Sequence, residues 1–130
     1  MTKKVKNSLK DSALFLKHAI KSPMQVAYFM PSSPWLIDQV AKCAHLDHAK
    51  HIMELGPGTG GTTKGILKYM QQDAQLISVE INQKFIDHIE KTIDDKRLSM
   101  NNKGAQNLVE IMSEYDWESA DVIISGIPFT

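Results

Sequence analysis

The sequence predicts an open α/β fold built on a parallel sheet, and three observations lead there. The stretch Met53 to Gly61 reads MELGPGTGG; it follows the short apolar run His51-Ile52-Met53 and precedes Thr62 to Met70, which has helical character. A strand that turns through closely spaced glycines into a helix suits a nucleotide, because glycine takes positive φ and lets backbone approach a ligand. The new helix then points its free N–H groups at whatever sits there. Further on, Leu76 to Glu80 (LISVE) and Ala120 to Ser125 (ADVIIS) are short apolar runs of the kind that form buried parallel strands. Finally, Glu80 directly follows the second strand, where an acid accepts hydrogen bonds from ribose hydroxyls in folds of this class.

The glycines fit two spacings. Gly56, Gly58 and Gly61 satisfy G-x-G-x-x-G, a dinucleotide pattern, and Glu80 lies near the distance expected of its ribose-binding acid. Gly56, Gly58 and Gly60, with Glu54 two residues earlier, satisfy E-x-G-x-G-x-G instead. That second pattern resembles motif I of methyltransferases dependent on S-adenosylmethionine (SAM). Glu54 separates the two. A carboxylate at the strand end repels a pyrophosphate, whereas SAM carries an ammonium and a sulfonium. The methyltransferase reading is preferred over a nicotinamide oxidoreductase and over a glycine turn with no ligand.

The chain has 130 residues, one domain's worth, with apolar content sufficient for a core. Fifteen basic and fifteen acidic residues cancel, so overall charge gives no nucleic-acid footprint. Cys43 stands alone, which excludes an internal disulfide and is consistent with a reducing compartment. No apolar run approaches a membrane span, and Ala13 to Leu16 is too short for a signal-peptide core. The expected location is cytoplasmic, peripheral at the inner membrane surface if the N-terminal segment binds lipid.

Residues 1–46 are expected to form a helical N-terminal segment and 47–130 the cofactor-binding half of a domain. Within 5–21, Val5, Leu9, Ala13, Leu16 and Ile20 recur at helical spacing, with Lys3, Lys6, Lys10, Lys17 and Lys21 gathered beside that stripe. Such a helix can lie on anionic lipid or pack on the domain with a solvated lysine face. Ser22-Pro23 ends it. Ser33-Pro34 suits the start of a second helix, running from about Pro34 to Ala44. His45, His48 and His51 are three apart, but no suitable partner lies nearby except Asp47, and no metal is expected. After the second strand, Asn82 caps a helix from about Gln83 to Ile93, with Phe85, Ile86 and Ile89 on its buried side. Asp94 to Gln106 reads as a polar loop with a short helical turn. Asn107 to Met112 (NLVEIM) reads as the third strand, its end near the cofactor's adenine, where Ser113 or Glu114 reaches the exocyclic amine unless these are plain loop residues. The fourth strand delivers Gly126-Ile127-Pro128-Phe129 to its C-terminal end, where open sheets hold ligands.

With MPSSPWL, MELGPGTGG, SVEIN and ISGIPFT laid out, the chain resembles the small bacterial phospholipid N-methyltransferases, which methylate phosphatidylethanolamine and are neighbours of the ribosomal RNA adenine dimethylases. The resemblance covers nearly the whole chain. It implies a Rossmann-like SAM-dependent methyltransferase fold, preceded by N-terminal helices and truncated after the fourth strand, with a phospholipid amine as substrate. It implies that Glu54, Gly56, Gly58 and Gly60 hold the methionine end of SAM, with Pro57 and Thr59 in the same loop. Glu80 then holds the ribose beside Ile81, and Ser113 or Glu114 sits by the adenine. Ser125 borders the cofactor at the end of the fourth strand, and Pro31 to Ser33, with Ser32 a contact, close over it. In the RNA enzymes the fourth strand ends in N-[LI]-P-[YF], whose asparagine orients a base amine. Gly126 occupies that asparagine's place here, which argues against adenine and makes nucleic acid an unlikely partner. The carbonyl of Gly126 and the side chains of Phe129 and Tyr28 are the candidates for orienting the amine, with no triad or metal. Members of that family continue past the fourth strand. The expectation is therefore an incomplete form that binds SAM weakly without turnover. Its fourth-strand edge would be exposed, a template for dimerisation.

Overall fold

The computed structural model describes residues 25–28 and 34–126. The elements in chain order are β1 (Gln25–Tyr28), α1 (Pro34–Cys43), β2 (His51–Leu55), α2 (Gly61–Tyr69), β3 (Gln75–Val79), α3 (Gln83–Thr92), β4 (Leu98–Asn101), α4 (Leu108–Glu114) and β5 (Val122–Ser125). A short 3-10 turn, Ala105–Asn107, leads into α4. The strands form one sheet in the order β1-β5-β2-β3-β4. Every pairing is parallel.

The alternation of side chains along a strand sorts the core into two layers. One layer has Ile52, Leu76, Val122 and Ile124 packed against Ala41 and Ala44 at the end of α1 and Ile66 and Leu67 of α2. The other has Met53, Leu55, Ile77, Val79 and Ile123 under Leu108, Ile111 and Met112 of α4, with Trp117. The chain runs outward from β2 through β3 to β4, then returns to place β5 on the other side of β2. The reversal makes the C-terminal ends of β2 and β5 a topological switch point, the crevice where sheets of this kind hold ligands.

Three expectations are corrected. Asn107 to Met112 is not a strand: Leu108, Ile111 and Met112 are buried at helical spacing while Val109 is 47% exposed, and the segment is α4. A short apolar run satisfies either period, and here the helix covers the sheet. The third strand of the unit is instead Leu98–Asn101, whose half-polar LSMN befits the sheet edge it occupies. The edge of the fourth predicted strand is not open, because β1 pairs along it from Gln25↔Val122 to Tyr28↔Ser125. The template expected for a dimer is thus covered. On α3, Ile86 and Ile89 are buried but Phe85, a step of about 100° away, is 36% exposed.

Arg97 fastens the loop before β4 to the end of α2. Its guanidinium donates to the carbonyls of Leu67, Met70 and Gln71 and to both oxygens of Asp95. The carbonyls at a helix C-terminus lack intrahelical partners, and a planar cation with several donors satisfies them together. The same contact holds the Asp95 carboxyl below the usual carboxylate range. Arg97→Met should lower unfolding free energy by about 2–3 kcal/mol, and Arg97→Lys should recover less than half of that. Urea denaturation of the two variants checks both.

Candidate cofactor site

The loop from Leu55 to Gly61 lies at the switch point. Gly56, Gly58 and Gly60 have φ of 71°, 58° and 95°. These are left-handed values that side chains rarely take. Gly61 does not share them, and a Cβ there would meet nothing within 4 Å, so it lacks the close-packing role of a third dinucleotide glycine. A Cβ on Gly60 would approach Ile89 of α3 to 3.0 Å. Of the two spacings in the sequence, the backbone uses 56-58-60.

Neighbouring strand ends are stitched to this loop. Gly56 N–H donates to the Val79 carbonyl at 2.9 Å, Gly126 N–H to Leu55 at 2.8 Å, and Glu80 N–H to Asn101 at 2.9 Å. Glu80, buried at the end of β3, accepts from Gly58 N–H through Oε1 (3.2 Å) and from Asn82 N–H through Oε2 (3.0 Å). Asn82 in turn caps α3 by accepting from Lys84 N–H, as expected of it. Pro57 is buried and Thr59 exposed, while Ile81, just beyond Glu80, is 75% exposed. No side chain caps the N-terminus of α2, whose N-cap is Gly60.

Glu54 lies deeper. Being two residues past Ile52 on β2, it faces the α2 side of the sheet, directly in register with Ser78. Oε1 accepts from the hydroxyls of Thr63 (2.6 Å) and Ser78 (2.8 Å). Among the described residues, the buried Oε2 has no hydrogen-bond partner, and neither has the buried hydroxyl of Thr62. Burial pushes the Glu54 carboxyl up to about 7 against the two hydroxyl donors, and the charge of Glu80 adds to the rise. A buried acceptor without a donor is costly, and a cationic group on a ligand would satisfy it. The donor set therefore fits the ammonium of SAM.

The remaining candidates are placed as follows. Ser113 lies on α4, exposed, with its hydroxyl turned back on the Val109 carbonyl, so it is at no strand end. Glu114 reaches the end of β4 from the helix: it accepts from the Asn101 amide at 3.1 Å and pairs with Lys103. These groups line a polar recess of about 280 Å³ with Gln83, Ile86 and Glu90. Ser125 is buried at the end of β5, opposite Leu55 and Tyr28. A Cβ on Gly126 would lie 2.9 Å from the Gly56 carbonyl oxygen. Ser32, Phe129, the side chain of Tyr28 and the 5–21 segment lie outside the described residues. His51 stacks on Trp117 at 4.3 Å, at the opposite end of β2 from the glycines, and His48 sits beside Asp47.

Sequence reasoning missed Thr63, Ser78 and Asn101. Ser78 did carry a signal, as the polar residue inside the apolar run LISV; Asn101 was hidden by the misread third strand.

The Glu54 carboxyl ties stability to pH. The unfolded chain ionises it near the usual glutamate range, while the fold keeps it protonated to about 7. Stability therefore falls as pH rises between those values and levels above them. Glu54→Gln abolishes this titration. Relative to the wild type it should gain about 2–3 kcal/mol between pH 5 and pH 8. Urea denaturation at the two pH values tests this; an equal difference at both would refute it.

The chain is 30% identical over 121 residues to an ornithine lipid N-methyltransferase of Singulisphaera acidiphila, covering 92% of this chain and 63% of the relative. Its fold is similar to that of the O-methyltransferase TomG of Streptomyces achromogenes, solved in complex with SAM: TM-score 0.54 at 12% identity, over 98% of this chain and 55% of that one. The chain thus spans less than two thirds of the length of either. The model of the family described as ribosomal RNA adenine dimethylase matches residues 29–109. With well over half its length matched, the chain belongs to that family, within the SAM-dependent methyltransferases.

Proposed function

We propose that this chain carries the cofactor-binding part of an N-methyltransferase whose acceptor is an amine on a lipid headgroup. The observation that carries the reading is the buried Glu54 carboxylate, one oxygen left to a cation, behind a turn opened by three left-handed glycines. The methionine end of SAM is a zwitterion. Glu54 suits its ammonium, and the uncapped N-terminus of α2 suits its carboxylate. A pyrophosphate would meet Glu54 with like charge. Glu80 keeps acceptor capacity beyond its two backbone donors and can take ribose hydroxyls. Exposed Ile81 offers an apolar surface to the adenine, and the Asn101–Glu114 pair a polar edge.

Bound SAM supplies an already activated methyl group on a sulfonium. The protein's task is then to hold a neutral amine in line with that methyl and to keep water out, and proximity supplies much of the rate. Gly126 supports a lipid amine over a base. The RNA enzymes resembled above carry an asparagine there, and here a side chain would press on the Gly56 carbonyl. The lipid substrate of the 30% identical relative points the same way. Phosphatidylethanolamine is one headgroup of suitable chemistry, with the backbone of Gly126 and the side chains of Tyr28 and Phe129 as candidates to orient it. The lysine-rich 3–21 segment would bring the protein to an anionic inner membrane surface from the cytoplasm. The competing reading, adenine methylation in RNA, is favoured by the family match itself.

Two measurements decide. Isothermal titration should show binding of S-adenosylhomocysteine and none of NAD; the reverse would defeat the methyltransferase reading. With S-adenosylhomocysteine present, the chain should sediment with vesicles of phosphatidylethanolamine and anionic lipid. RNA binding with a steep salt dependence, and none to vesicles, would transfer the assignment to RNA.

A further inference from the structure

We propose that Thr63 and Ser78 are positioning residues for the cofactor's amino group: by both occupying Oε1 of Glu54, they reserve Oε2 as the acceptor that the ammonium takes. The inference rests on the SAM reading above and extends it to two residues that touch no ligand themselves.

The geometry is specific. Thr63 comes from the first turn of α2 and Ser78 from the neighbouring strand, and both are fully buried. Their hydroxyls reach the same carboxylate oxygen at 2.6 and 2.8 Å. With Oε1 so engaged, the proton of the neutral acid resides on Oε2, which has no other partner among the described residues. Proton and ammonium then compete for one oxygen, so binding the cofactor releases the proton to solvent. Among the described residues, no basic group offsets this. On the sheet, Glu54 is flanked by Ser78 and by apolar Ile124, with Thr63 above it on α2. The charged group that acts on it is Glu80, of like sign. The two hydroxyls favour the ionised form, so removing either should make the proton harder to displace.

The test is isothermal titration of the chain from pH 5.5 to 8.5 with two ligands. S-Adenosylhomocysteine has the amino-acid end; methylthioadenosine lacks it. The former should tighten by up to tenfold per pH unit at the acid end and level off at the alkaline end, while methylthioadenosine stays flat. Thr63→Val and Ser78→Ala should move the levelling point to higher pH. At pH 7 each should weaken S-adenosylhomocysteine by about tenfold, with most of the affinity regained at pH 8.5. Thr63→Ser should restore the wild-type profile. Equal weakening at every pH, or a methylthioadenosine profile that follows pH in the same way, would overturn the proposal. Binding of neither ligand by the wild type would overturn the SAM reading beneath it. A measurement that needs no variant is the carboxyl carbon resonance of Glu54 in protein labelled at glutamate. It should titrate near neutrality without ligand and cease to titrate when saturated with S-adenosylhomocysteine; titration unchanged by ligand would refute the competition for Oε2.

Discussion

A carboxylate buried inside a parallel sheet is the constraint on which this site depends. Glu54 lies on a strand whose other central residues are apolar, and burial alone would leave a carboxylate there at a cost of several kcal/mol. The fold answers with two hydroxyls, both aimed at one oxygen. That answer is partial: Ser78 is placed by strand register and Thr63 by the start of α2, and both donate to Oε1. The carboxyl accordingly stays protonated to about neutrality. Position and incompleteness together leave Glu54 with one buried oxygen open to a donor, the basis of the cation-binding role proposed for it.

The same economy of space governs the surrounding backbone. Because β5 returns to the other side of β2, Gly126 comes down beside the glycine loop, close enough that its own N–H reaches the Leu55 carbonyl. The approach leaves no volume for a side chain against the Gly56 carbonyl. The glycine in the loop after β2 and the glycine at the C-terminal end of β5 are thus one packing problem. What distinguishes this site from one that carries an asparagine at the end of that strand is contained in that contact.

How much of this could be read from the residues follows from how locally each feature is determined. The strand-turn-helix at His51 to Tyr69 was legible because apolar strand, glycine spacing and helical pattern adjoin one another. Asn82 was legible for the same reason, since an N-cap is recognised within one turn. The third strand was not. LSMN has too little apolar character to announce itself, and its pairing with β3 comes from chain far away in sequence. NLVEIM, by contrast, has enough apolar residues to satisfy either period, and only its packing on Met53 and Ile123 decides for the helix. The pairing of β1 with β5 is likewise non-local: residues about one hundred apart meet, and nothing within QVAY names its partner. Glu54 stood out by its charge, but its two hydroxyl partners were invisible because Thr63 on α2 and Ser78 on β3 meet only in the folded chain.

The two ends of the sheet differ in how fully their polar groups are satisfied. At the N-terminal ends of the strands, His51 stacks on Trp117, whose indole N–H donates to Gln75. Lys50 pairs there with Asp73, and Asp121 accepts the N–H groups of Lys50 and His51. These contacts are closed within the protein. At the C-terminal ends lie three left-handed glycines, an acceptor and a hydroxyl without donors, and Ile81 turned to solvent. Strain and unsatisfied polarity persist only where surrounding structure holds them in place. Here the backbone bonds from Gly56 to Val79 and from Gly126 to Leu55 tie the turn to its neighbours. The unsatisfied polarity of β2 is thus confined to one end: His51 is stacked on Trp117 at the other, Ile52, Met53 and Leu55 are core, and Glu54 alone carries a buried oxygen without a donor among the described residues.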